Sequence, residues 1–214
     1  MARVLLIRPI YDRETSMTHG WAQSVVQMAA KWQHDLVQLT TDAHRGNVQR
    51  ALSSRNNPPD YVIMYGHGED EHFSGQDGGA VLDLANVGLL EGTIVCAVAC
   101  WTATMLGREA VRSGSRAYFG YTAQLWLAVN APEAPFNRIT RRATAAISKV
   151  LLNPQRFSCR YALASALEIY GLTHRDYLAK ARGKPPHPNA VQIAARLARN
   201  QVNLRLLGND EETL

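Results

Sequence analysis

The chain of 214 residues is long enough for one sizeable α/β domain with an appendage, but short for two independent domains. Its 46% hydrophobic and 19% charged residues exclude a disordered or low-complexity protein. The formal net charge of +5 hides an asymmetry: residues 1–107 carry seven Lys and Arg against eleven Asp and Glu, a balance of −4, and residues 108–214 carry sixteen against seven, a balance of +9.

Up to residue 121, apolar runs of strand length alternate with helical patterns. Strands are predicted at residues 4–7, 36–39, 61–65, 93–99 and 116–121. Helices are predicted at residues 18–32, capped by Ser16 or Thr18, at 46–53 and at 102–112, and a brief helical piece precedes the fourth strand. Strands that alternate with helices predict an α/β fold with a mostly parallel sheet sandwiched by helices.

Beyond residue 122 the pattern becomes helical. Residues 124–129 are predicted as one more short strand or hairpin arm, and helices are predicted at 136–152, 156–170, 173–182 and 189–206, with Gly171 as one of the breaks. The chain is thus predicted to consist of an α/β core, residues 1–130, and a basic helical C-terminal cap, residues 131–214, that packs on the same sheet.

The lengths of the apolar runs indicate where the protein is located, and the number and spacing of the cysteines indicate whether it binds a metal or forms disulfides. No apolar run approaches the roughly 20 residues of a membrane-spanning helix, and only four apolar residues separate Arg3 from Arg8, too few for a secretory signal. We therefore expect a cytoplasmic protein without a membrane partner. Cys96, Cys100 and Cys159 are sparse and lack metal-ligand spacing, so we expect no disulfide framework, no bound metal and no organic cofactor.

Reactive side chains follow two of the predicted strands. The strand at residues 61–65 emerges as Gly66-His67-Gly68, and the strand at residues 93–99 is followed by Cys100. Since the carboxyl ends of parallel strands line one crevice, His67 is expected beside Cys100, where it can activate the thiol and protonate a leaving amine. We also expect a helix that begins near Thr102 and an adjacent imidazolium to lower the pKa of the thiol, and the amides of Gly68 and Cys100 to hold an oxyanion.

At these positions the sequence resembles the clan of cysteine peptidases that includes caspases, metacaspases, gingipains, separases and the bacterial CHAT peptidases. In that clan one hydrophobic strand ends in His-Gly and a second ends in a small residue followed by Cys, as His67-Gly68 and Ala99-Cys100 do here. Ala103 resembles the small residue that CHAT peptidases often carry three positions after the cysteine. The resemblance covers about residues 4–122. It implies a caspase-like fold, a His67–Cys100 dyad and an oxyanion hole at Gly68 and Cys100.

Two features distinguish the sequence from particular branches of the clan. The interval of 33 residues between positions 67 and 100 is shorter than the roughly 50 of caspases, and the caspase signature Gln-Ala-Cys-Arg-Gly is absent. Val98 stands where metacaspases carry an Asp that reads a basic side chain. The sequence therefore does not predict a caspase proper or metacaspase-like specificity at this position.

Substrate-binding residues are predicted around the dyad. The resemblance implies that the pocket for P1, the residue before the cleaved bond, uses the loop after the first strand, here with Asp12, and the segment after the fifth, here with Trp126. Trp101 is expected either to wall the site or to plug a pocket. Asp77 belongs to an acidic loop, residues 69–77, that should rim the cleft and favour Arg or Lys at the cut site. Arg13 implies the opposite preference, and the sequence leaves this choice open.

The sequence favours a cysteine endopeptidase that cleaves a protein target through a thioacyl-enzyme intermediate, with a regulatory protein partner as a further expectation. The alternative is a catalytically inactive caspase-like adaptor, or a nucleic-acid-binding protein that uses the basic helices within residues 138–205, although no nucleic-acid motif accompanies that charge. A dinucleotide-binding domain is disfavoured because residues 8–17 contain no glycine.

Overall fold

The structure is a computed structural model that describes residues 1–54, 57–131, 133–155 and 157–211. Residue 156, where one predicted helix begins, lies outside the described residues. In chain order the elements are β1 (Arg3–Ile7), α1 (Arg13–Trp21), α2 (Gln23–Lys31), β2 (Asp35–Leu39), α3 (Arg45–Leu52), β3 (Tyr61–Tyr65), β4 (His72–Ser74), β5 (Ala80–Asp83), a 3₁₀ helix (Val87–Leu90), β6 (Ile94–Val98), α4 (Met105–Arg112), β7 (Ala117–Tyr121), α5 (Pro135–Leu151), α6 (Cys159–Arg182), α7 (Ala190–Asn203) and β8 (Leu204–Gly208).

A six-stranded sheet with the order β2-β1-β3-β6-β7-β8 forms the centre of the fold. Neighbouring strands from β2 to β7 pair in parallel, and β8 pairs antiparallel with β7. The hairpin of β4 and β5 lies in the segment between β3 and β6 and forms a separate sheet. The predicted α/β class, with a mostly parallel sheet flanked by helices, is confirmed.

Each central strand sends its side chains alternately into two hydrophobic cores, because successive residues of a strand point to opposite faces. Ile63 and Cys96 lie in a core shared with α2, α5, α6 and α7. Val62 and Val95 lie in the other, shared with α3, α4 and the β4–β5 hairpin. Every residue of β3 and β6 is buried, which explains why both strands read as continuous apolar runs.

The last part of the chain differs from its prediction in two elements. The helix expected through residue 206 ends at Asn203, and the chain continues as β8, whose five residues pair with β7 at the edge of the sheet. Gly171 does not separate two helices, since α6 is continuous from Cys159 to Arg182. A helical glycine costs about 1 kcal/mol relative to alanine, and burial of Ala166 and Tyr170 of α6 in the core offsets that cost.

The segment between β7 and α5 forms neither the strand nor the hairpin arm predicted for residues 124–129. Two buried asparagines of the C-terminal helices hold its backbone instead. The Trp126 amide donates to Asn200 Oδ1 at 3.0 Å, and the Ala128 amide donates to Asn137 Oδ1 at 2.9 Å. The C-terminal helices therefore shape the segment that follows β7.

None of the helices in the described part of the chain is long and apolar enough to cross a membrane.

Candidate active site

The register of β3 and β6 brings His67 and Cys100 to one edge of the sheet. Tyr65 pairs with Val98, and the histidine and the cysteine each follow two residues later. Both line a pocket of about 320 Å³, here called the inner pocket. Its lining residues are Glu14, Thr18, Gly66, His67, Cys100, Gln124, Leu125, Trp126, Leu127 and Val129. The structure thus places the two predicted dyad residues in one pocket.

Asp12 lies against the histidine. Its Oδ2 is 2.7 Å from His67 Nε2, and its Oδ1 accepts hydrogen bonds from the Thr15 amide and hydroxyl, each at 2.7 Å. Asp12 and Thr15 form a capping box, so α1 begins at Arg13 and the predicted caps further along the chain are wrong. Partial burial alone would raise the pKa of the Asp12 carboxyl, but the bonds from Thr15 and His67 hold it below its ordinary value.

This arrangement changes the role predicted for Asp12. Both carboxylate oxygens are engaged by the protein, so Asp12 positions His67. Asp12 lines neither pocket that Cys100 lines, but it lines a neighbouring pocket of about 570 Å³ together with Arg13 and Val129. A carboxylate only accepts hydrogen bonds, so the proton shared with Asp12 resides on Nε2 of His67. In the neutral ring Nδ1 is then the nitrogen that remains as an acceptor.

Cys100 is half-buried, and its environment differs from the expectation. Burial raises the pKa of its thiol, and hydrogen bonds to Sγ from the amides of Leu125, at 3.3 Å, and of Cys100 itself offset only part of this effect. The following helix begins at Met105 and not near Thr102, and a helix-terminal field falls off within about one turn. The predicted lowering of the thiol pKa is therefore wrong, and the thiol is neutral until a base takes its proton.

We expect Cys100 to be the only cysteine that iodoacetamide labels in the folded protein. Cys96 and Cys159 are buried, and burial raises the pKa of each to about 12. Since the thiolate is the reactive form, labelling of Cys100 should rise with pH and continue to rise above the ordinary thiol value of about 8.5. Mass spectrometry after labelling at stepped pH measures this. A plateau below pH 7, or preferential labelling of Cys96 or Cys159, would contradict it.

Gly68 approaches the cysteine more closely than a residue with a side chain could. A Cβ at this position would lie 2.5 Å from Thr102 Cγ2 and 2.8 Å from the Cys100 carbonyl oxygen. Among the described residues, neither the Gly68 amide nor the Cys100 amide donates to a carbonyl. The Gly68 N–H therefore remains as a donor for an oxyanion, and the Cys100 N–H, which lies against its own Sγ, is the second donor that the sequence predicts.

The β4–β5 hairpin, which the sequence did not predict, supports the histidine loop. The Ser74 amide donates to the His67 carbonyl at 3.1 Å, and the Glu69 amide donates to the His72 carbonyl at 2.9 Å. Gly68 forms an isolated antiparallel bridge with Phe73, whose side chain is fully buried in the core below. The hairpin therefore fixes the loop that carries the first dyad residue.

Replacing Gly68 by alanine should destabilise the fold by about 1 to 3 kcal/mol, because the new Cβ forces the loop away from Cys100 and Thr102. Chemical denaturation of both proteins measures this change. Gly46→Ala is the matched control: nothing lies within 4 Å of a Cβ built at this helical position, and the change should stabilise by up to about 1 kcal/mol. Equal stability of Gly68→Ala and the parent would show that the close approach is not a constraint.

A second, larger pocket of about 640 Å³ opens on the other side of Cys100 and is here called the acidic cleft. It is lined by Gly68, Glu69, Asp70, Glu71, His72, Cys100, Trp101, Met105 and Gln124. Trp101 walls it as predicted and has a left-handed backbone with φ of 61°, which is strained for a bulky residue. The rim is less available than expected, because the Asp70 carboxylate accepts a 2.7 Å bond from the Thr104 hydroxyl.

Two other predicted substrate-binding residues have different outcomes. Trp126 lines the inner pocket, and the guanidinium groups of Arg196 and Arg199 lie 5.6 Å from its ring centre. Asp77, contrary to the prediction, lines neither pocket. Its carboxylate accepts a bond from the Gly79 amide at 3.1 Å and lies 3.5 Å from His44 Nδ1.

Sequence reasoning missed Glu14 as a pocket residue. Glu14 lies in the first turn of α1. Because Asp12 caps this helix and so sets its start at Arg13, the Glu14 side chain faces the inner pocket. The only signal was its place in the loop after the first strand. Asp12, Glu14 and His67 each offer a ligand atom within 4.8 Å of the others, a set that could hold a divalent cation at the expense of the His67 base.

No protein-family model matches the sequence, and no curated protein matches it either.

Proposed function

We propose that the protein is a cysteine endopeptidase with a caspase-like α/β fold that acts on a protein substrate in the cytoplasm. The observation that carries the proposal is the order Asp12, His67, Cys100 at the carboxyl edge of adjacent parallel strands, with Asp12 bonded to His67 at 2.7 Å. A base held by a third group beside a nucleophile is the arrangement that covalent catalysis requires. The resemblance of both strand-end motifs to caspase-like peptidases supports the same assignment.

The residues supply each step of peptide hydrolysis. Cys100 Sγ attacks the scissile carbonyl carbon while its proton passes to Nδ1 of His67, and the amides of Gly68 and Cys100 donate to the resulting oxyanion. The carbon–nitrogen bond then breaks, and the leaving amine takes the proton from His67. Water hydrolyses the thioester with His67 again as base, which restores the thiol. Because the resting thiol is neutral, His67 acts as a general base and not as one half of a preformed ion pair.

Supporting contacts favour a peptidase over an inactive relative. The carboxylate on His67, the close approach of Gly68 and the Leu125 amide on Sγ each fix the position of a group to which the proposed mechanism gives a role. The basic side chains of the C-terminal helices, such as Arg138, Arg141 and Arg142, are exposed and line neither pocket beside Cys100. Their exposure is explained equally well by a solvated outer face of the helical layer and by a binding surface.

A peptide-library cleavage profile tests the proposal. The wild-type protein should cleave a subset of peptides, and Cys100→Ala should lose activity by on the order of 10³-fold or more. Cys159→Ala, which removes a buried sulfur far from the pockets in sequence, should retain it. Absence of cleavage by the wild type, or equal cleavage by Cys100→Ala, would overturn the proposal. Binding of duplex DNA that weakens steeply with salt would then favour the alternative.

A further inference from the structure

The inner pocket is lined by one carboxylate, that of Glu14, and no Lys or Arg of the described residues pairs with it. Glu14 is partly buried and lines the pocket together with His67 and Cys100. Among the described residues, no Lys or Arg forms an ion pair with Glu14 and no donor bonds to its carboxylate. Apart from His67, the other lining residues are uncharged. Apart from the His67 ring, of which one nitrogen lies within 4.8 Å of a Glu14 carboxylate oxygen, the described residues supply no counter-ion to this pocket, which is therefore electronegative.

The basic residues near the pocket are directed elsewhere. Arg13, which the sequence left as a candidate for the opposite polarity, bonds Asn130 Oδ1 at 3.1 Å and does not line the inner pocket. Arg196 lies over the rings of both Trp126 and Phe136, and Arg199 lies over Trp126, yet neither lines the pocket. The positive charge of the C-terminal helices thus stays outside the inner pocket.

The apolar part of the lining suits a long cationic side chain. Leu125, Trp126, Leu127 and Val129 form one wall of the pocket, while Glu14 comes from α1. Lys and Arg side chains have apolar stems that pack on such walls and charged heads that pair with a carboxylate. The pocket therefore offers complementary surfaces to both parts of the same side chain.

We propose that Glu14 determines the specificity of the inner pocket and binds the side chain of an Arg or Lys residue whose carbonyl Cys100 attacks. This inference rests on the proposed peptidase function. It attributes the preference for Arg or Lys at P1 to Glu14 in the inner pocket, and not to the acidic loop at residues 69–77 or to Asp12. Asp12 is engaged by His67 and Thr15, and Asp77 lies outside both pockets.

The first experiment compares peptides that differ only at P1, with Arg, Lys, Gln, Leu or Asp. Wild type, Glu14→Gln and Glu71→Gln are assayed in EDTA, so that no cation occupies the Asp12–Glu14–His67 cluster, and cleavage sites are read by mass spectrometry. We expect wild type to prefer Arg and Lys over Gln by about 10-fold or more in kcat/KM, and Glu14→Gln to remove most of this preference through KM. Glu71→Gln changes an exposed carboxylate of the acidic cleft and should retain it.

The second experiment does not depend on turnover. Calorimetry with benzamidine, a small aromatic cation, should give a Kd for wild type about 10-fold or more below that for Glu14→Gln. Gln and Glu have similar helix propensities, so α1 should remain folded in the variant. Circular dichroism and unchanged iodoacetamide labelling of Cys100 verify this.

The outcomes separate the inference from the proposed function. Cleavage that depends on Cys100 but prefers Leu or Asp at P1, or an Arg preference that Glu14→Gln leaves intact, would overturn the role of Glu14 and leave the peptidase standing. Equal binding of benzamidine to both proteins would also overturn it. Absence of any cleavage by the wild type would overturn the peptidase, and with it the assignment of this pocket to P1.

Discussion

Alanine in place of His67 should lower kcat/KM by on the order of 10²-fold or more without unfolding the domain. The variant lacks the group to which the proposed mechanism assigns both removal of the thiol proton and protonation of the leaving amine. Within the part of the chain that the structure describes, the one side-chain hydrogen bond of His67 joins it to Asp12, and its side chain is 38% exposed, so little core stability depends on it. Steady-state kinetics beside a thermal melt measure both effects.

Two other histidines serve as controls for this variant. His19 Nδ1 lies 2.9 Å from the Arg8 carbonyl oxygen and lines neither pocket beside Cys100, and His72 lines the acidic cleft but not the inner pocket. Alanine at either position should leave kcat/KM within a few-fold of the parent, because neither follows a strand that ends beside Cys100. Retained turnover in a folded His67→Ala protein would show that the dyad is misassigned.

Changes at Asp12 should separate its structural role from its catalytic role. Asp12→Ala removes both the helix cap and the partner of His67, so it should cost about 0.5 to 2 kcal/mol in unfolding free energy and lower kcat by roughly 10- to 10³-fold. Asp12→Ser retains a good capping residue but cannot reach His67. It should therefore keep most of the stability, lose the same activity, and leave KM nearly unchanged.

The stability difference at Asp12 should also depend on pH. Hydrogen bonds hold the pKa of the folded-state carboxyl below its ordinary value, so its stabilising contribution is present above the unfolded-state pKa of about 3.9. That contribution is lost as pH falls through the lower folded-state pKa. The gap in unfolding free energy between the parent and Asp12→Ala should thus narrow below pH 4. An unchanged gap from pH 7 to pH 3, or equal activity of Asp12→Ser and the parent, would contradict this role.

The parallel strands β1, β3, β6 and β7 were predictable because each is a short, almost fully buried apolar run, a pattern that local sequence carries. β2, whose Asp35 and Gln38 are exposed, was predictable from its short, largely apolar stretch at residues 36–39. β8 was not predictable in the same way. Its residues continue the spacing of α7, and what makes them a strand is the free edge of β7, which is distant in the chain. The β4–β5 hairpin and the irregular segment after β7 likewise depend on partners such as Asn200 that sequence spacing does not reveal.

For the site, the amino-acid sequence by itself determined the α/β class and the presence of His67 and Cys100 at the ends of two strands, because strand ends are local features. Only the tertiary structure decided which of the acidic residues contacts His67, which lines the inner pocket and which lies outside it. The capping box turns Asp12 toward His67 and Glu14 toward the inner pocket, while contacts with Gly79 and His44 hold Asp77 outside it. It also decided the state of the nucleophile, since burial raises the pKa of Cys100 and the next helix begins too late to oppose it. Burial and side-chain direction depend on contacts between elements far apart in the chain, which no local pattern contains.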